Sequence, residues 1–536
     1  YCYARINSLF IQKSSYRDPD STTTEMDRNK VTTRIEIGFE NFADYTPQIH
    51  DITFEGITKM PYPVESPEFT LPRYSEIMSS FPGETIEQVA GKHKRYVFVS
   101  KLDYIQGMGF DAIWISPVVD NTDGGYHGYW ARNINKINSN FGTASDLELL
   151  ISECHKRDIW VMVDVVGNHM GYGAPSAEFA PLADPSSYHN CDSCPQYCNI
   201  DDFTNQNQVE LCRLVGLPDL NQSNPIVSNI LTTWIHQLVA NYSFDGIRID
   251  TVCEVNKQFW GGFKKASGVY SVGEVNNGDV GYVSSYQSTS PGTNAPGVDG
   301  TLSYPLYYSI LNVFAKGQSF RQIHDMLGNY QTSFHDVTIL GTFIDNHDNP
   351  RFLSIQQDRK MYEAAITFVL MTQGIPIVYY GTEQWLEGTQ DPANRAPLWN
   401  YGFNTQTEMY VLIQTILKYR AKMKLWQENQ VERYLDDEFL AFTRGDALVL
   451  VTNQGSNKNI QRTITYHPYA AGTKICNIFY ADNSDCITIG SGSSSSDTVK
   501  RIGRLGEKSN NKNENENGIS FGIYLAKGES KIYVPV

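Results

Sequence analysis

The sequence predicts an α/β protein built on a closed (β/α)-barrel. From about residue 101, short apolar runs alternate with helical patterns, and at least seven such runs can be counted. Runs such as "DAIWISPV" and "IWVMVDVV" are apolar throughout, which is typical of strands buried on both faces of a parallel sheet. Seven or more of them favour a closed barrel over an open doubly wound sheet. No G-x-G-x-x-G follows the first run, which argues against a dinucleotide-binding fold.

The barrel is expected to occupy residues 94–167 and 222–425. Helices are predicted at "KLDYIQGMGF", "ASDLELLISECHKRD" and "NPIVSNILTTWIHQLVANY". Further strands are predicted at "FDGIRID", "VYSVGEV", "GTLSYP", "TILGTFID" and "IPIVYYG". This order of strand and helix is the pattern of consecutive βα units.

Three segments interrupt or flank that pattern. Residues 168–221 are rich in Pro, Ser, Asn and Cys, and are interpreted as a long insertion after the third strand. Residues 426–536 show short alternating stretches such as "SKIYVPV", which predict a small β-domain. Within it, "GSGSSSSD" and "EKSNNKNENENG" are polar low-complexity loops, expected to be disordered. Residues 1–93 are polar and irregular; either "SLFIQ" or, just beyond them, "RYVFVS" could supply the first barrel strand.

Charge and composition limit the partners. The 536 residues carry a formal net charge of −16, with a pI of about 5.2. An acidic surface disfavours nucleic acid and anionic membranes, and suits a neutral or cationic ligand. No apolar run reaches the roughly 18 residues that a membrane span needs. Aromatic residues make up 12% of the chain, which fits a protein that stacks rings on its ligand.

The nine cysteines leave several possibilities open. They are Cys2, Cys154, Cys191, Cys194, Cys198, Cys212, Cys253, Cys476 and Cys486. The group from Cys191 to Cys212 could form disulfides or a zinc site, but it contains only one C-x-x-C. The odd count leaves at least one thiol unpaired or intermolecular. Sequons at Asn221 and Asn241 favour a secreted glycoprotein.

Charged side chains stand at the ends of the predicted strands. In "FDGIRIDTVCEVNKQFW", Arg248 and Asp250 lie two residues apart in an apolar strand. Side chains alternate along a strand, so both point toward the barrel axis at the carboxyl end, where barrel enzymes build their sites. A buried arginine keeps a neighbouring carboxylate ionised and orients it. A purely structural ion pair is the alternative.

Three more strand ends carry similar groups. They are Glu274 in "SVGEV", Asp345, His347 and Asp348 in "TFIDNHDNPRF", and Asp164, Asn168 and His169 in "VMVDVVGNHMG". Separate buried ion pairs would each cost several kcal/mol, so convergence on one mouth is favoured. Two facing carboxyls are what glycosidic cleavage requires. Tyr126, Tyr129 and Trp130 of "GGYHGYW" are interpreted as rings that stack on sugars, with core packing as the alternative.

From about Ser100 to about Lys424 the chain resembles α-amylases of glycoside hydrolase family 13, closest to the secreted fungal type. The four short motifs of that family occur in order, as "DVVGNH", "GIRIDTVCE", "GEV" and "DNHD"; "YHGYW", "LPDL" and "DPANR" also match. The resemblance implies an eight-stranded TIM barrel, a domain B inserted after strand three and a C-terminal antiparallel β-sandwich, domain C. It implies a monomer, secreted and in some cases associated with the cell wall.

The resemblance also implies an activity and its residues. The reaction would be retaining endo-hydrolysis of α-1,4-glucosidic bonds in starch-type or glycogen-type polysaccharide or maltooligosaccharide. Asp250 matches the nucleophile, Glu274 the general acid/base, and Asp348 the third carboxylate, which holds substrate hydroxyls and stabilises the transition state. The other positions that match sugar-binding residues are Arg248, His169, His347, Tyr129, Trp130, His127, Asp391 and Arg395.

A structural Ca²⁺ between barrel and domain B is implied as well. Asn168, Glu210 and Asp219 match its side-chain ligands, and the backbone carbonyl of Glu254 matches the fourth. Oxygen ligands of this kind suit Ca²⁺ rather than zinc. Cys198 and Cys212 match a disulfide of domain B, and Cys476 and Cys486 are expected to pair in domain C. Cys191 and Cys194 have no counterpart in the resemblance.

The chain departs from the family pattern at two places. Cys253 and Glu254 stand where a Lys-His pair usually contacts the sugar on the acceptor side. A transglycosylase acting on α-glucan is therefore a second hypothesis, since water and a sugar compete for one glycosyl-enzyme. The family's first-strand motif is only faintly echoed near "SLFIQKSSYRDPD". A non-catalytic glucan-binding homologue is the third hypothesis.

Overall fold

A computed structural model describes Val99, residues 101–490 and residues 519–536, together with the backbone of residues 4–12 and 32–39. The strands of its first part are β1 (Ala4–Gln12), β2 (Thr32–Phe39), β3 (Ala112–Ile115), β4 (Val119–Asn121), β5 (Ala131–Ile137), β6 (Trp160–Val165), β7 (Gly246–Ile249), β8 (Tyr270–Gly273), β9 (Gly300–Thr301), β10 (Gly341–Thr342) and β11 (Ile375–Pro376). The helices are α1 (Leu102–Met108), α2 (Ala144–His155), α3 (Gln206–Leu211), α4 (Pro225–Tyr242), α5 (Lys257–Ser267), α6 (Val280–Ser284), α7 (Tyr304–Ile310, continued by a π-turn at Leu311–Ala315), α8 (Arg321–Ser333), α9 (Phe352–Ile355), α10 (Arg359–Met371) and α11 (Glu408–Lys422).

Seven of these strands run parallel around the barrel. β3, β6, β7, β8 and β9 pair in sequence order, and β10 pairs with β11. A bridge between Leu302 and Gly341 joins the two groups. The barrel strands are short and buried, as the continuous apolar runs predict; Ile247 and Ile249 on either side of Arg248 are fully buried. The predicted α/β fold with a TIM barrel is confirmed.

The eighth place in the barrel is filled differently from the others. β1 lies beside β3, with Ser8 opposite Trp114, and it also approaches β11. It runs antiparallel to β3 and pairs with β2 as a hairpin, whereas a strand of this barrel is normally parallel to its neighbours. "SLFIQ" thus lies at the position expected of strand one, in the opposite direction. "RYVFVS" lies outside the described residues, except for Val99, which is helical.

Local signals in the sequence account for the helix ends. α4 begins after Asn224, whose side chain accepts a hydrogen bond from the backbone of Ile226, and Pro225 takes the first helical position. α1 ends at Gly109, which has a φ of 98°. Only glycine adopts that backbone conformation without strain, so the helix stops where the chain must turn into β3.

The insertion after β6 contains α3 and three short 3-10 turns, and two disulfides hold it together. They join Cys191 to Cys198 and Cys194 to Cys212. The expected Cys198–Cys212 pairing is therefore wrong. Each of these cysteines is paired instead with one of the two extra cysteines, and Cys198, which has a φ of 64°, is bonded to Cys191 within the same loop. All four cysteines of this group are in disulfides, so the alternative of a zinc site is wrong.

The C-terminal region is two antiparallel sheets packed face to face. Its strands are β12 (Gln430–Leu435), β13 (Phe439–Arg444), β14 (Ala447–Thr452), β15 (Ile460–Ile464), β16 (Lys474–Asn477), β17 (Cys486–Thr488), β18 (Phe521–Leu525) and β19 (Lys531–Pro535). β15 pairs with β18, and the other six form the larger sheet. Side chains of both sheets share one apolar core. The predicted Cys476–Cys486 disulfide is present.

The remaining predictions concern membrane spans, the other cysteines, the polar loops and the domain boundaries. Among the described residues, no helix is long and apolar enough to cross a membrane. Cys154 and Cys253 are buried thiols without a disulfide. Cys2 and most of the two polar loops of the C-terminal region lie outside the described residues. The domain boundaries drawn from the sequence stay a prediction.

The disulfide pattern can be tested directly. Peptide mapping without reduction is expected to recover Cys191 linked to Cys198 and Cys194 linked to Cys212. Replacing Cys194 and Cys212 together by alanine is expected to lower the free energy of unfolding by about 3 kcal/mol, because the bond closes a loop of moderate length. Recovery of a peptide that links Cys198 to Cys212 would contradict the pairing.

Candidate active site

The parallel register brings the charged strand ends together at one edge of the barrel. Asp164 of β6 pairs with Arg248 of β7, and Ile249 pairs with Gly273 of β8. Asp250 and Glu274 follow directly on their strands. Because neighbouring strands end level with each other, these side chains meet at the carboxyl end of the barrel, as the sequence predicts.

Arg248 is the centre of this group. Its guanidinium is 1% exposed and contacts three carboxylates. Nη1 lies 2.9 Å from Asp164 Oδ1 and 2.7 Å from Asp250 Oδ1, and Nη2 lies 2.7 Å from Glu274 Oε2. One buried cation therefore fixes the positions of all three acids.

Asp164 is a site residue that the sequence-derived set of catalytic and binding residues omits. Its carboxylate accepts hydrogen bonds from Trp114 Nε1 at 3.1 Å and from the Tyr129 hydroxyl at 2.8 Å, as well as from Arg248. The indole ring of Trp114 also lies 5.1 Å from the guanidinium carbon. The sequence feature that could have identified Asp164 is a charged residue inside the apolar run "VMVDVV". Asp164 is 1% exposed and contacts Arg248 inside the barrel.

Burial controls the charge state of these acids. It raises the pKa of Asp250 well above its ordinary value, against the opposing effect of Arg248. It raises the pKa of Asp164 to about 6, again with Arg248 opposing. Three carboxyls share a single guanidinium, so the site holds more acid than its cation can neutralise.

Tyr129, His347 and Asp348 form a second group next to Arg248. The Tyr129 hydroxyl lies 2.9 Å from His347 Nε2, and the two rings stack at 5.6 Å. His347 Nε2 lies 3.1 Å from Asp348 Oδ2, and Arg395 Nη2 donates to Asp348 Oδ1 at 3.3 Å. Asp348 remains partly exposed, with its side chain at 38%. An exposed carboxylate held from two sides is suited to receive ligand hydroxyls.

A hairpin loop between β4 and β5 carries the predicted aromatic residues. The loop is tight: Gly128 has a φ of 92°, and a side chain there would meet the carbonyl of Pro117 at 2.7 Å. His127 stacks on Tyr129 and contacts Trp130 edge to face. These rings are half-buried, and their role in stacking on sugars stays a prediction.

This loop contacts Asp391, which with Arg395 forms a second pair of predicted sugar-binding residues. Tyr126 donates a hydrogen bond to Asp391, which also lies 3.5 Å from Arg395 Nε. Arg395 in turn donates to the backbone carbonyl of His347 at 2.9 Å. Asp391 and Arg395 therefore extend the same edge of the mouth on which Tyr129 and Trp130 lie.

Glu274 has two supporting residues that sequence reasoning did not identify. The Tyr304 hydroxyl donates to Glu274 Oε1 at 3.1 Å, and Asn346 Nδ2 donates to that hydroxyl at 3.2 Å. Tyr304 is fully buried at the start of α7. Nothing in the pattern around "LSYPLYY" distinguishes Tyr304 from the other core tyrosines; only Asn346, within "DNHD", carried a signal.

The predicted calcium ligands are only partly brought together. Asn168 is buried, and its side-chain oxygen lies 3.2 Å from the carbonyl of Glu254 and 3.1 Å from Asp219 Oδ1, while its amide nitrogen lies 3.2 Å from His169 Nδ1. With its amide turned over, Asn168 would donate to both of these oxygens; in the present orientation three oxygen acceptors face one another, which is unfavourable unless a cation or a donor lies between them. The described residues contain no cluster of three His, Cys, Asp or Glu side chains suited to a metal, because this group uses an amide and a backbone carbonyl instead.

Three other predicted residues of this region are Asp219, His169 and Glu210. Burial raises the pKa of Asp219 to about 7, although His189 Nδ1 lies 2.6 Å from its Oδ2. His169 Nε2 donates to the carbonyl of Tyr129, 3.1 Å away, and burial lowers the pKa of His169 to about 4. The Glu210 carboxylate accepts hydrogen bonds from Gln206 and Asn256, and these partners are not members of the group around Asn168.

Comparison with known proteins identifies this arrangement. The profile of the α-amylase catalytic domain matches residues 97–190 and 199–434. The chain belongs to the α-amylase family. It is 39% identical to an α-amylase of Saccharomycopsis fibuligera over 71% of this chain and 78% of that protein, and 38% identical to α-amylase 2 of Schwanniomyces occidentalis over 73% and 80%. The structure resembles that of an α-amylase from Malbranchea cinnamomea, with a TM-score of 0.71, 32% identity and coverage of 82% and 88%.

Membership of the α-amylase family confirms the resemblance that the four motifs indicated. It makes the chain a glycoside hydrolase, and it agrees with the carboxyl pair at the mouth of the barrel. The matched residues include every strand end described above.

The buried arginine allows a direct test. Replacing Arg248 by methionine leaves three buried carboxyls without a cation, so the free energy of unfolding at pH 7 is expected to fall by about 3 kcal/mol or more. The loss is expected to shrink toward pH 5, because protonation of the acids removes their repulsion. Urea unfolding at both pH values measures it.

A matched control is Arg132, whose ion pair with Asp120 is partly exposed. Arg132→Met is expected to cost less than about 1 kcal/mol, with little change between the two pH values. Equal losses for the two variants would contradict the central role of Arg248.

Proposed function

We propose that this protein is a retaining endo-hydrolase of α-1,4-glucosidic bonds in starch-type and glycogen-type glucans, with Asp250 as nucleophile and Glu274 as general acid/base. The observation that carries the proposal is the shared guanidinium: Asp250 and Glu274 are bound to the two terminal nitrogens of Arg248. Retaining enzymes need two carboxyls about 5–5.5 Å apart, and a guanidinium that binds both carboxyls brings them close together.

The first step cleaves the bond. The Asp250 carboxylate attacks the anomeric carbon while Glu274 gives its proton to the glycosidic oxygen, so the leaving chain departs with a new hydroxyl. A covalent glycosyl-enzyme remains on Asp250. Arg248 opposes the rise in the pKa of Asp250 that burial causes, and it holds the carboxylate at a fixed orientation.

The second step releases the product. Glu274, now a carboxylate, takes a proton from water as that water attacks the anomeric carbon and breaks the bond to Asp250. Two displacements at one carbon retain the anomeric configuration. Tyr304, hydrogen-bonded to Glu274 Oε1, fixes the carboxyl so that it serves both steps.

The remaining residues would hold the sugar. Asp348, held by His347 and Arg395, would receive hydroxyls of the ring that reacts. The face of Tyr129 would stack on that ring, and His169 and His347 would lie beside it in the transition state. Other rings on the non-reducing side would meet His127, Trp130, Asp391 and Arg395.

Calcium would stabilise the loops above the barrel. Asn168, Asp219 and the carbonyl of Glu254 would hold it, since they present converging oxygens of the kind that Ca²⁺ prefers. When bound, the ion neutralises Asp219 and links the insertion to the turn after β7. Glu210 would join the set only by giving up its hydrogen bonds to Gln206 and Asn256.

We also infer the organisation and location of the protein. Domain A comprises residues 94–167 and 222–425, domain B residues 168–221 and domain C residues 426–536, following a poorly matched segment 1–93. Three disulfides and the sequons support secretion. A monomer acting on neutral glucan is the expected working form.

Product analysis tests the function. With maltoheptaose and calcium, the protein is expected to release short maltooligosaccharides in the α-anomeric form, and Asp250→Asn is expected to lose at least about three orders of magnitude in rate because the attacking carboxylate is gone. Chromatography and NMR of fresh products measure both.

Other outcomes of the same experiment are informative. Products longer than maltoheptaose would favour the transglycosylase, in line with the change at Cys253 and Glu254. A folded wild-type protein as inactive as Asp250→Asn would contradict a catalytic role on this substrate.

Calcium dependence is tested by stability. Chelation is expected to lower the midpoint of thermal unfolding by several degrees, and added calcium to restore it, since an ion bound only by the folded state stabilises that state. Asp219→Asn is expected to lose most of this shift, and Glu210→Gln shows whether the fourth residue takes part. No shift in the wild-type protein would contradict the site.

A further inference from the structure

A second buried arginine, Arg351, lies outside the carboxylate group and has no part in the mechanism above. It is fully buried and directly precedes α9. Its backbone N–H donates to the carbonyl of Gly388 at 2.9 Å, and its Nε donates to the carbonyl of Asn394 at 2.7 Å. One residue therefore binds both ends of residues 388–396, the loop that carries the second pair of predicted sugar-binding residues.

The guanidinium of Arg351 is also fixed on the side of the barrel wall. Nη1 donates to the carbonyl of Tyr380 at 2.7 Å, and the guanidinium carbon lies 4.1 Å from the centre of the Tyr379 ring and 4.9 Å from that of Tyr380. Its charge opposes the rise in the pKa of Asp345 that burial causes. A planar cation that donates in two directions and stacks on rings is a combination that arginine provides and lysine does not.

Further contacts close the loop of residues 388–396. The N–H of Gly388 donates to Ser354 Oγ at 2.7 Å, and the Tyr380 hydroxyl donates to the carbonyl of Ala396 at 3.0 Å. Gly388 has a φ of 145°, and a side chain there would collide with the carbonyl of Ala393. The two ends of the loop are thus packed against each other and against the barrel.

Asn394 links this loop to the catalytic mouth. It is 1% exposed, and its Nδ2 donates to the carbonyl of His347 at 2.8 Å and to that of Asn349 at 3.1 Å. These two residues flank Asp348 in the chain. Arg395, the next residue of the loop, donates to the same carbonyl of His347 at 2.9 Å and to Asp348 Oδ1 at 3.3 Å. The backbone on both sides of Asp348 and one contact of its carboxylate therefore depend on the loop.

We propose that Arg351 is a positioning residue for Asp348, which it holds in place through residues 388–396. The inference rests on the proposed function, in which Asp348 receives the hydroxyls of the reacting sugar. Among the described residues, the hydrogen bonds of the Arg351 guanidinium lead to the loop and the barrel wall. Its loss would displace the third carboxylate rather than remove it, and a displacement of about 1 Å can lower a rate about a hundredfold.

Three variants and one control test this role. Arg351→Met removes the guanidinium, Arg351→Lys keeps the charge but not the two-directional hydrogen bonding, and Asn394→Leu removes the amide that binds the two carbonyls. The control is Arg420→Met: Arg420 is also fully buried and donates to a backbone carbonyl, that of Leu370, at 2.8 Å, but it lies on α11. The substrate is α-maltotriosyl fluoride, whose reactive leaving group keeps slow variants measurable by fluoride release.

We expect kcat to fall about a hundredfold in Arg351→Met and about tenfold in Arg351→Lys and Asn394→Leu, because the carboxylate is misplaced to different extents. KM should change less than kcat, since an interaction that is strongest in the transition state acts mainly on kcat. Arg420→Met should retain the kcat of the wild type at temperatures where it is folded, although it also loses a buried guanidinium.

A double-mutant cycle shows whether the effect passes through Asp348. In an Asp348→Asn background, adding Arg351→Met is expected to lower kcat/KM by less than about threefold, because residues that act through one group do not have additive effects.

Four results would overturn the inference. A full hundredfold loss on top of Asp348→Asn would show that Arg351 does not act through Asp348. Folded Arg351→Lys and Asn394→Leu proteins with the kcat of the wild type would refute it even if Arg351→Met does not fold. An equal fall in kcat in Arg420→Met would show a general effect of losing a buried arginine. An inactive wild type would refute the proposed hydrolase itself, and the inference with it.

Discussion

The buried guanidinium of Arg248 is the interaction on which the site depends. It lies inside the barrel and contacts three carboxylates, one on each of three consecutive parallel strands or their ends. Charges in such a place are tolerated only when they are paired and hydrogen-bonded. The register of β6, β7 and β8 brings these charges into contact, so the strand pairing that forms the barrel also sets the positions of the three acids.

The turn after β7 connects the other functional features. It begins with Asp250, continues through the buried pair Cys253–Glu254, and supplies the carbonyl that faces Asn168. On its other side, Gln206 of the insertion donates to the carbonyl of Cys253 at 3.1 Å. Asp250, the group around Asn168 and the insertion are therefore linked through one short segment. Order in the insertion, which carries Asp219 and Gln206, is expected to affect all of them.

Much of this could be predicted from the sequence, and the limits are physical. Alternation along β7 predicts where Arg248 and Asp250 point, and apolar runs predict the strands themselves. The role of Asp164 could have been read from an aspartate in such a run, but Tyr304 supports Glu274 across the fold and looks like any core tyrosine. The pairing of the four cysteines in the insertion depends on how its loop folds, which their spacing alone does not reveal. The antiparallel direction of β1 could not be predicted, because nothing in "SLFIQ" specifies whether the strand pairs parallel or antiparallel.

The most direct test of the account is to trap the intermediate on the nucleophile. A 5-fluoro-α-glycosyl fluoride of a maltooligosaccharide slows the second displacement, so the glycosyl-enzyme can be digested and its labelled peptide sequenced by mass spectrometry. If Asp250 is the nucleophile, each protein molecule is expected to carry one label, on Asp250, and activity should be lost in step with labelling. A label on Glu274 or Asp348, or full turnover through an inverting reaction without any label, would contradict it.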